Sequence, residues 1–322
     1  MIRFEDVAKQ YQDDTYAVKL LNLEIKKGEF FVLIGPSGSG KTTTLKMINR
    51  LIPLTDGTIY IEDKRISDYE INELRWNIGY VLQQIALFPH MTIEENIAIV
   101  PELKKWDRDK VKNRVTELLE MVGLDPEIYR KRKPKELSGG EQQRIGVVRA
   151  LAADPEIILM DEPFSALDPI TREKLQDDIL ALQRTINKTI VFVTHDMKEA
   201  LKLGDRICVM KNGRVEQIGT PEQLLNQPAN DFILNFVGEG NKLHHENIEL
   251  SNLVRPYDDE TEIVNLTDSL PVTATIQTIL ERLATEEQLP VEKDGEIIGV
   301  INREIIIQYL SDRLNERGKA HE

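Results

Sequence analysis

Short apolar runs that end abruptly at glycine or polar residues recur along most of the chain. The runs Phe30–Ile34, Ile157–Met160 and Thr189–Thr194 contain almost no alternating polar positions. Such runs are typical of strands that are covered on both faces, as in the sheet of an α/β protein, with helices between the strands. The pattern therefore predicts an α/β fold with a buried central sheet.

Other segments have a different periodicity. Arg3–Val7 and Leu20–Ile25 alternate apolar and polar residues, which favours antiparallel strands with one solvated face. From about residue 88 to 136 the spacing becomes helical, most clearly in Arg108–Val122. We expect a helical insertion here, and its exposed apolar positions could be either ordinary packing surface or a docking surface.

The first buried run is followed by a glycine- and serine-rich loop and then by a helical pattern. The loop matches G-x-x-x-x-G-K-T at Gly35, Gly40, Lys41 and Thr42. Glycines let backbone N–H groups point at phosphate oxygens, and the helix N-terminus favours negative charge. The lysine would reach the outer phosphates and the threonine hydroxyl would bind Mg²⁺. A glycine-rich turn that binds nothing is the alternative, but it does not account for the lysine and threonine in register.

Polar residues also follow two later strands. Asp161 and Glu162 follow the run Ile157–Met160, and His195 follows Thr189–Thr194. Because the carboxyl ends of parallel strands share one edge of a sheet, these side chains are expected near the loop. The aspartate could hold Mg²⁺, the glutamate could orient or deprotonate a water, and the histidine could contact a γ-phosphate. A solvated acidic edge and a structural histidine are the alternatives.

Two residues have weaker signals. Gln83 ends the predicted strand Ile78–Leu82 and could reach Mg²⁺ or a water, or it could be a solvated loop residue. Tyr11 lies in a polar segment ahead of the glycine loop, where its ring could stack on a base or cover a hairpin. The residues alone leave both pairs of alternatives open.

A second glycine pair opens a later helix. Ser138 and Glu141 satisfy the capping-box pattern S-x-x-E, which by itself explains a helix start. Gly139 and Gly140 lie in the first turn, where glycine lowers helix stability unless the backbone must be exposed. The segment is therefore a candidate for a second anion site.

Length, charge and cysteine content narrow the possible functions. The 322 residues can form one large and one small domain. A formal net charge of -14 argues against a broad grip on nucleic acid or anionic lipid. No apolar run approaches membrane-spanning length, and the first residues do not resemble a signal peptide. The lone Cys208 excludes an internal disulfide and fits a reducing compartment. Because the acidic net charge disfavours anionic lipid, we expect any membrane attachment to occur through a protein partner.

The motifs, their order and their spacing closely resemble the nucleotide-binding subunits of ATP-binding cassette (ABC) transporters over about residues 1–238. Leu137-Ser-Gly-Gly-Glu-Gln142 is the most specific element of this resemblance. The resemblance implies a P-loop NTPase fold with a mixed sheet core, an antiparallel β subdomain and a helical subdomain at about 88–136. It also implies ATP and Mg²⁺ as cofactors and ATP hydrolysis as the activity.

The resemblance further implies a role for individual residues. Adenine would stack on Tyr11, and Asp168 would form the D-loop. The catalytic residues would be Glu162, His195, Lys41 and Gln83. The metal ligands would be Thr42, Gln83 and Asp161. The phosphate loop, or Walker A motif, would be Gly35, Pro36, Ser37, Gly38, Ser39, Gly40, Lys41, Thr42 and Thr43. The signature would contribute Ser138, Gly139, Gly140 and Gln142.

In this family two subunits pack head to tail, and each signature closes over the ATP of its partner. The resemblance thus implies a second copy of the chain as a partner, together with transmembrane permease subunits and, indirectly, a substrate-binding protein. It places the chain at the cytoplasmic face of a bacterial cell membrane.

After an expected linker at 239–253, residues 254–322 form a separate region. A helix near Ile276–Ala284 and an Asp-Gly hairpin at residues 294–295 resemble a single CBS (cystathionine β-synthase) motif. Such motifs work in pairs, so the second would come from the partner subunit. Asn302 and Ile305 replace the family's ribose-binding residues, which argues against nucleotide binding. A cyclic dinucleotide ligand, sensing of ionic strength and simple dimerisation are the alternatives.

An ABC subunit with CBS-like sequence at its C-terminus looks like the importers of glycine betaine, carnitine and choline. Alternatives are an importer ATPase for another solute, such as an amino acid, and a soluble ABC protein acting on nucleic acid or ribosomes. The soluble class would be expected to have a long coiled-coil insertion or two cassettes, and this chain has neither. A regulatory adaptor that does not hydrolyse ATP is not expected to retain both Glu162 and His195.

Overall fold

The structure is a computed structural model that describes residues 1–11, 15–83, 86–165, 167–186, 188–241, 250, 253–254, 269–272, 274, 276–283, 285–293 and 295–309. The chain divides into two compact units, Met1–Val237 and Gly238–Glu322. Within the described residues, no helix has both the length and the apolar character needed to cross a membrane.

The described residues form strands and helices in alternation over most of the chain. The strands are β1 (Ile2–Gln10), β2 (Tyr16–Ile25), β3 (Phe30–Ile34), β4 (Asp56–Ile61), β5 (Lys64–Arg65), β6 (Ile78–Val81), β7 (Ile157–Asp161), β8 (Thr189–Thr194), β9 (Arg206–Lys211), β10 (Arg214–Gly219), β11 (Leu270–Pro271), β12 (Gln288–Lys293) and β13 (Glu296–Asn302). The helices are α1 (Lys41–Ile48), α2 (Ile71–Trp76), α3 (Ile93–Leu103), α4 (Arg108–Met121), α5 (Pro126–Tyr129), α6 (Gly139–Leu151), α7 (Pro169–Ile186), α8 (Met197–Leu203), α9 (Pro221–Asn226), α10 (Asp231–Asn241), α11 (Ile276–Leu283) and α12 (303–309).

A six-stranded sheet in the order β10-β9-β3-β8-β7-β6 forms the centre of the first unit. All neighbours are parallel except the β9–β10 hairpin, so the sheet is mixed. Every residue of β3, β7 and β8 is buried, because both faces of the sheet are covered. This explains why these strands are continuous apolar runs rather than alternating ones.

Successive residues of β3 belong to two different hydrophobic cores. Phe30, Val32 and Ile34 pack in a core with helices α3, α4, α6 and α7. Phe31 and Leu33 face the opposite core, which β1, β2, β4 and α1 complete. The antiparallel sheet β2-β1-β4-β5 covers this second face. The central sheet is therefore held between a helical layer and a second sheet, so both of its faces are covered, as the continuous apolar runs predict.

The register of the strands brings their carboxyl ends to one edge. Ile34 at the end of β3 pairs with Thr194 at the end of β8, and Val193 pairs with Asp161 at the end of β7. The residues that follow, including the glycine loop, Glu162 and His195, therefore leave the sheet at the same side.

The helical insertion is present where the periodicity changed. In α4 the apolar positions Val111, Val115, Leu118 and Leu119 are all buried, so they are packing positions. Phe88 and Met91, ahead of α3, are exposed. Leu103 in α3 and Ile128 in α5 are exposed as well, so the docking-surface hypothesis applies to these four positions.

Several elements differ from the sequence pattern. Strand β1 continues to Gln10, into the segment that looked polar, because it pairs with β2 at Lys9 and Gln10. Helix α2 and strand β5 have no clear periodicity and were not expected. The sequence suggests a domain boundary at Gly238 and Gly240, and the second unit does begin at Gly238, although α10 runs on to Asn241.

The second unit contains a three-stranded sheet in the order β11-β12-β13. The predicted hairpin forms between β12 and β13, with Gly295 at φ +87° in its turn. The core of the second unit includes Leu289, Val291 and Ile301. It also includes Leu250, which precedes residue 254, the predicted start of this region. The sequence also predicts a final helix to about Leu314. The structure describes this helix over 303–309, and the remainder lies outside the described residues.

Candidate active site

The glycine loop between β3 and α1 has two positions where no side chain fits. Gly35 and Gly40 have φ +155° and +101°, and a Cβ on them would lie 2.1 Å from the Met210 carbonyl oxygen and 2.3 Å from the Ala17 carbonyl oxygen. These glycines are required because the loop packs directly on neighbouring backbone. Gly38, at φ +77°, faces open space, so the mouth of the loop is free for a ligand.

Lys41 lies inside this loop. Its Nζ donates to the carbonyl oxygens of Gly35 at 2.7 Å and Pro36 at 3.0 Å, and the residue is buried. Burial lowers the pKa of Lys41, and the nearby carboxylates of Glu162 and Asp161 partly oppose that shift. A phosphate anion here would offset the desolvation of the ammonium group.

Two further residues of the loop and helix match a phosphate and a hard metal ion. The Ser39 hydroxyl is buried and has no hydrogen-bond partner within the described residues, so it is available to a phosphate oxygen. The Thr42 hydroxyl donates to Oδ1 of Asp161 at 2.8 Å. Hydroxyl and carboxylate oxygens are ligands that Mg²⁺ takes when it shares phosphates. The residues present therefore fit a nucleoside triphosphate with Mg²⁺.

The ends of three strands meet at Glu162. Its Oε2 lies 3.0 Å from Nδ1 of His195, which follows β8, and 3.4 Å from Nε2 of Gln83, which follows β6. The Glu162 backbone is left-handed, at φ +44°, and its N–H donates to the Val193 carbonyl at 3.0 Å. Such backbone conformations are costly for residues other than glycine and concentrate at functional sites. The structure thus brings three of the predicted catalytic side chains together.

A tyrosine that the sequence reading did not single out also reaches this cluster. The Tyr80 hydroxyl, on β6, donates to Oδ2 of Asp161 at 3.4 Å. Burial first, and then the Asp161 charge, raise the pKa of Tyr80, so it stays a protonated donor. One signal could have identified Tyr80. It is a hydroxyl residue on β6, and β6 pairs with β7, the strand that ends in Asp161.

The second glycine pair lies at the start of α6. Ser138 and Glu141 form the predicted capping box. A Cβ on Gly140 would lie 2.4 Å from Cγ2 of Thr171, so packing against α7 requires this glycine, whereas Gly139 faces open space. The Gln142 side chain donates to the Leu137 carbonyl at 3.0 Å. Packing thus explains one of the two glycines and leaves Gly139 without a steric reason.

The capping glutamate has further partners. The Tyr129 hydroxyl donates to Oε1 of Glu141 at 2.5 Å, and this bond is the main reason that the pKa of Glu141 is lowered. Among the described residues, no hydrogen bond or ion pair joins the signature residues to the glycine loop of the same chain. The predicted signature therefore forms a separate surface within one subunit.

Tyr11 and Asp168 also lie apart from the central cluster. The Tyr11 ring is 44% exposed and 5.3 Å from Nζ of Lys9, while residues 12–14 next to it lie outside the described residues. Asp168 accepts a hydrogen bond from the Thr171 N–H at 3.1 Å at the start of α7. Hydrogen bonds from Thr171 lower the pKa of Asp168. Of the remaining loop residues, Pro36 and Ser37 are exposed at the mouth and Thr43 is half-buried on α1.

A phosphate loop between a buried strand and a helix, with acidic residues at the end of a neighbouring strand, defines a P-loop nucleoside triphosphatase. The antiparallel sheet, the helical insertion and the glycine pair of α6 specify the ATP-binding cassette form of that fold. The family model described as ABC transporter matches residues 18–165.

Relatives match over nearly the whole chain. It is 49% identical over 312 residues to the glycine betaine/carnitine/choline transport ATP-binding protein OpuCA of Bacillus subtilis (strain 168), which covers 97% of this chain and 78% of the relative. It is 48% identical to the choline transport ATP-binding protein OpuBA of the same strain, over 96% of this chain and 80% of the relative. The chain therefore belongs to the family of ABC transporter ATP-binding proteins, and as a member of it the protein is an ATPase.

A solved structure confirms the predicted fold class. The ATP-binding cassette MJ0796, in a dimeric post-hydrolysis state bound to ADP and Pi, superposes with a TM-score of 0.62 at 38% identity. The match covers 69% of this chain and 99% of that chain. The CBS-like assignment of the second unit stays a prediction.

Proposed function

We propose that this protein is the ATP-hydrolysing subunit of an ABC importer for a quaternary amine osmoprotectant: glycine betaine, carnitine or choline. The identity to OpuCA over 97% of the chain is the observation that carries the proposal, because the match extends through both units. The names of both Bacillus relatives contain choline, and one also contains glycine betaine and carnitine.

ATP is the proposed ligand of the glycine loop. Lys41 and the Ser39 hydroxyl would contact its phosphates, and Tyr11 would stack on its base. Mg²⁺, when bound by Thr42, Asp161 and Gln83, would offset negative charge on the phosphates. The contact of Thr42 with Asp161 supports this ligand set.

Glu162 is the proposed general base. Its carboxylate lies among polar partners at the strand ends, where it could accept a proton from an attacking water. His195 would contact the γ-phosphate while its Nδ1 faces Glu162, and Gln83 would orient the water or Mg²⁺. Catalysis would therefore consist mainly of positioning and charge stabilisation.

A second copy of the chain is the proposed partner at the nucleotide. The signature surface, with open space at Gly139, does not contact its own phosphate loop among the described residues. In a head-to-tail dimer it would instead close over the partner's ATP. Contacts made only with the triphosphate would favour the closed dimer, and hydrolysis would remove them. MJ0796 was solved as a dimer.

Transmembrane permease subunits and, indirectly, a substrate-binding protein are the further proposed partners. The protein would lie at the cytoplasmic face of the cell membrane through these subunits. In the second unit, Oδ1 of Asn302 accepts the Ile305 N–H at 3.0 Å and thus caps α12. A cyclic dinucleotide ligand of the second unit and its dimerisation stay predictions.

Uptake measurements test the proposal. The protein would be co-expressed with its permease and binding-protein subunits in bacteria lacking their own osmoprotectant importers, and uptake of labelled glycine betaine, carnitine, choline and an amino acid would be compared. We expect uptake of a quaternary amine with the unaltered protein and none with Glu162→Gln. Amino acid uptake alone would favour the alternative importer class and refute the proposed substrate.

A further inference from the structure

Helix α8 carries a buried carboxyl group that the proposed mechanism does not use. Glu199 is only 6% exposed, yet within the described part of the chain no cation lies within 4 Å of it. Burial is the main reason that the pKa of Glu199 is raised. A buried carboxyl without an ion pair destabilises a fold, so its presence requires an explanation.

Within the described residues, the Glu199 carboxyl group contacts one hydroxyl group. Thr194 Oγ1, at the carboxyl end of β8, donates to Oε2 of Glu199 at 2.5 Å. The same oxygen accepts the N–H of Asp196 at 3.0 Å. Thr194 and Asp196 are the two neighbours of His195 in the chain. The hydroxyl of the residue before His195 is therefore bonded to the backbone N–H of the residue after it.

The rest of the turn is fixed as well. Thr194 is buried and pairs in register with Ile34, at the start of the phosphate loop. The Asp196 side chain caps α8 by accepting the Lys198 N–H at 2.8 Å. The His195 side chain is the exposed part of this turn, and its Nδ1 lies 3.0 Å from Glu162.

Ordinary helix capping does not account for this arrangement. In α3, α6 and α9 the third residue of the helix returns directly to the N–H of the capping residue. In α8 the third residue, Glu199, contacts the Thr194 hydroxyl instead, and that hydroxyl takes the N–H of the capping residue Asp196. The result is a chain of two hydrogen bonds that spans His195.

We infer that Thr194 and Glu199 are positioning residues that hold His195 at the γ-phosphate of bound ATP. Glu199 fixes the orientation of the Thr194 hydroxyl, and the hydroxyl fixes the turn on which the imidazole is placed. The inference rests on the proposed contact of His195 with the γ-phosphate.

Substitutions at Thr194 test this with the full chain. Thr194→Val removes the hydroxyl and keeps the shape, and we expect the kcat for ATP hydrolysis to fall about 10- to 100-fold, since misplacing a reacting group by about 1 Å can have such effects. The KM for ATP should change little, because the loop and Tyr11 are untouched. Thr194→Ser keeps the hydroxyl and should restore kcat.

Thr189→Val is the matched control, because Thr189 is buried at the opposite end of the same strand. Its hydroxyl accepts the Gly28 N–H at 3.0 Å, so this variant also loses a hydrogen bond. It should lower the melting temperature without lowering kcat. If Thr194→Val does not fold, Glu199→Ala replaces it, with Glu199→Gln, which keeps an acceptor oxygen, as its rescue variant.

A double-mutant cycle with His195→Ala separates the inference from the proposed function. If Thr194 acts through His195, Thr194→Val should reduce kcat no further when His195 is already absent. An unchanged kcat in Thr194→Val alone, or an equal reduction in the His195→Ala background, would overturn the inference and leave the role of His195 intact. A normal kcat in His195→Ala would instead refute the role of His195, and the inference with it.

Discussion

The hydroxyl of Thr42, in the first turn of α1, lies 2.8 Å from Oδ1 of Asp161, although 119 positions separate the two residues in the chain. The contact joins the phosphate loop to the end of β7. The other carboxylate oxygen of Asp161, Oδ2, lies 3.4 Å from the Tyr80 hydroxyl. The carboxylate is thus held between two hydroxyl groups at the place where Mg²⁺ is expected.

This arrangement predicts a change in metal dependence. Asp161→Asn removes a charged ligand, and we expect the Mg²⁺ concentration for half-maximal ATP hydrolysis to rise by at least about 10-fold. A Mg²⁺ titration of ATPase activity measures this. Asp109→Asn, which removes the same charge from an exposed position of α4, is the control. An Mg²⁺ requirement equal to that of the control would contradict the ligand assignment.

Glu162→Gln tests the general base. The amide cannot accept the proton from water, so turnover should fall by about 10²- to 10⁴-fold. ATP binding should persist, because the loop is unchanged, and the proposed ATP-dependent dimer should accumulate, since nothing removes the γ-phosphate. Single-turnover hydrolysis and size-exclusion chromatography with MgATP provide the two measurements. Normal steady-state turnover is incompatible with the assignment.

The glycine loop predicts a difference between two glycine substitutions. Gly40→Ala and Gly123→Ala both place alanine at positive φ, +101° and +69°, but only at Gly40 would the new Cβ meet backbone, at 2.3 Å. Gly123→Ala should cost about 1–2 kcal/mol of unfolding free energy, the ordinary penalty of a left-handed residue. Gly40→Ala should cost clearly more, because the loop or β2 must move. Urea denaturation compares the two, and equal losses would show that the loop yields without strain.

The Tyr129–Glu141 contact predicts a pH-dependent contribution to stability. Since this bond holds the pKa of Glu141 below its usual value of 4.5, its stabilisation is present above that pH and is lost as pH falls through the lower pKa of the folded state. Tyr129→Phe should therefore lower the unfolding free energy by about 1 kcal/mol at neutral pH, and by less in acid.

Urea denaturation of Tyr129→Phe at pH 7 and in acid measures this difference. Tyr60→Phe is the control, because the Tyr60 ring packs under the Arg3 guanidinium at 4.6 Å and its hydroxyl makes no hydrogen bond within the described residues. A pH-independent loss in Tyr129→Phe would assign the effect to packing instead.

Glu199 predicts the opposite sign. Burial raises the pKa of Glu199, so its contribution to stability is fully present below the ordinary carboxyl pKa and is lost as pH rises through the raised value. Glu199→Gln keeps the acceptor for Thr194 and does not titrate. The melting temperature of this variant, relative to wild type, should increase between acidic and neutral pH. A constant difference across that range would show that the pKa of Glu199 is the same in the folded and unfolded states.

The sequence predicted most of the central sheet. Strands β3, β7 and β8 were evident because burial on both faces requires continuous apolar runs, and their ends coincided with a change to glycine or polar residues. Pro169 favours the first position of a helix, and the pattern after it predicts a helix to about Ile186, which agrees with α7. Short elements such as α2 and β5 were missed, since two to six residues carry no measurable periodicity.

The sequence by itself determined the chemistry at the strand ends. A glycine loop with Lys41 and Thr42, a strand ending in Asp161 and Glu162, and a histidine after a third strand indicate phosphate chemistry wherever a parallel sheet aligns those ends. Only the tertiary structure decided which of these groups touch, because contact depends on strand order and register. The pairing of β6 with β7 places Tyr80 on Asp161. The packing of α6 against α7 places Gly140 against Thr171, and the turn from β8 into α8 joins Thr194 to Glu199 across His195.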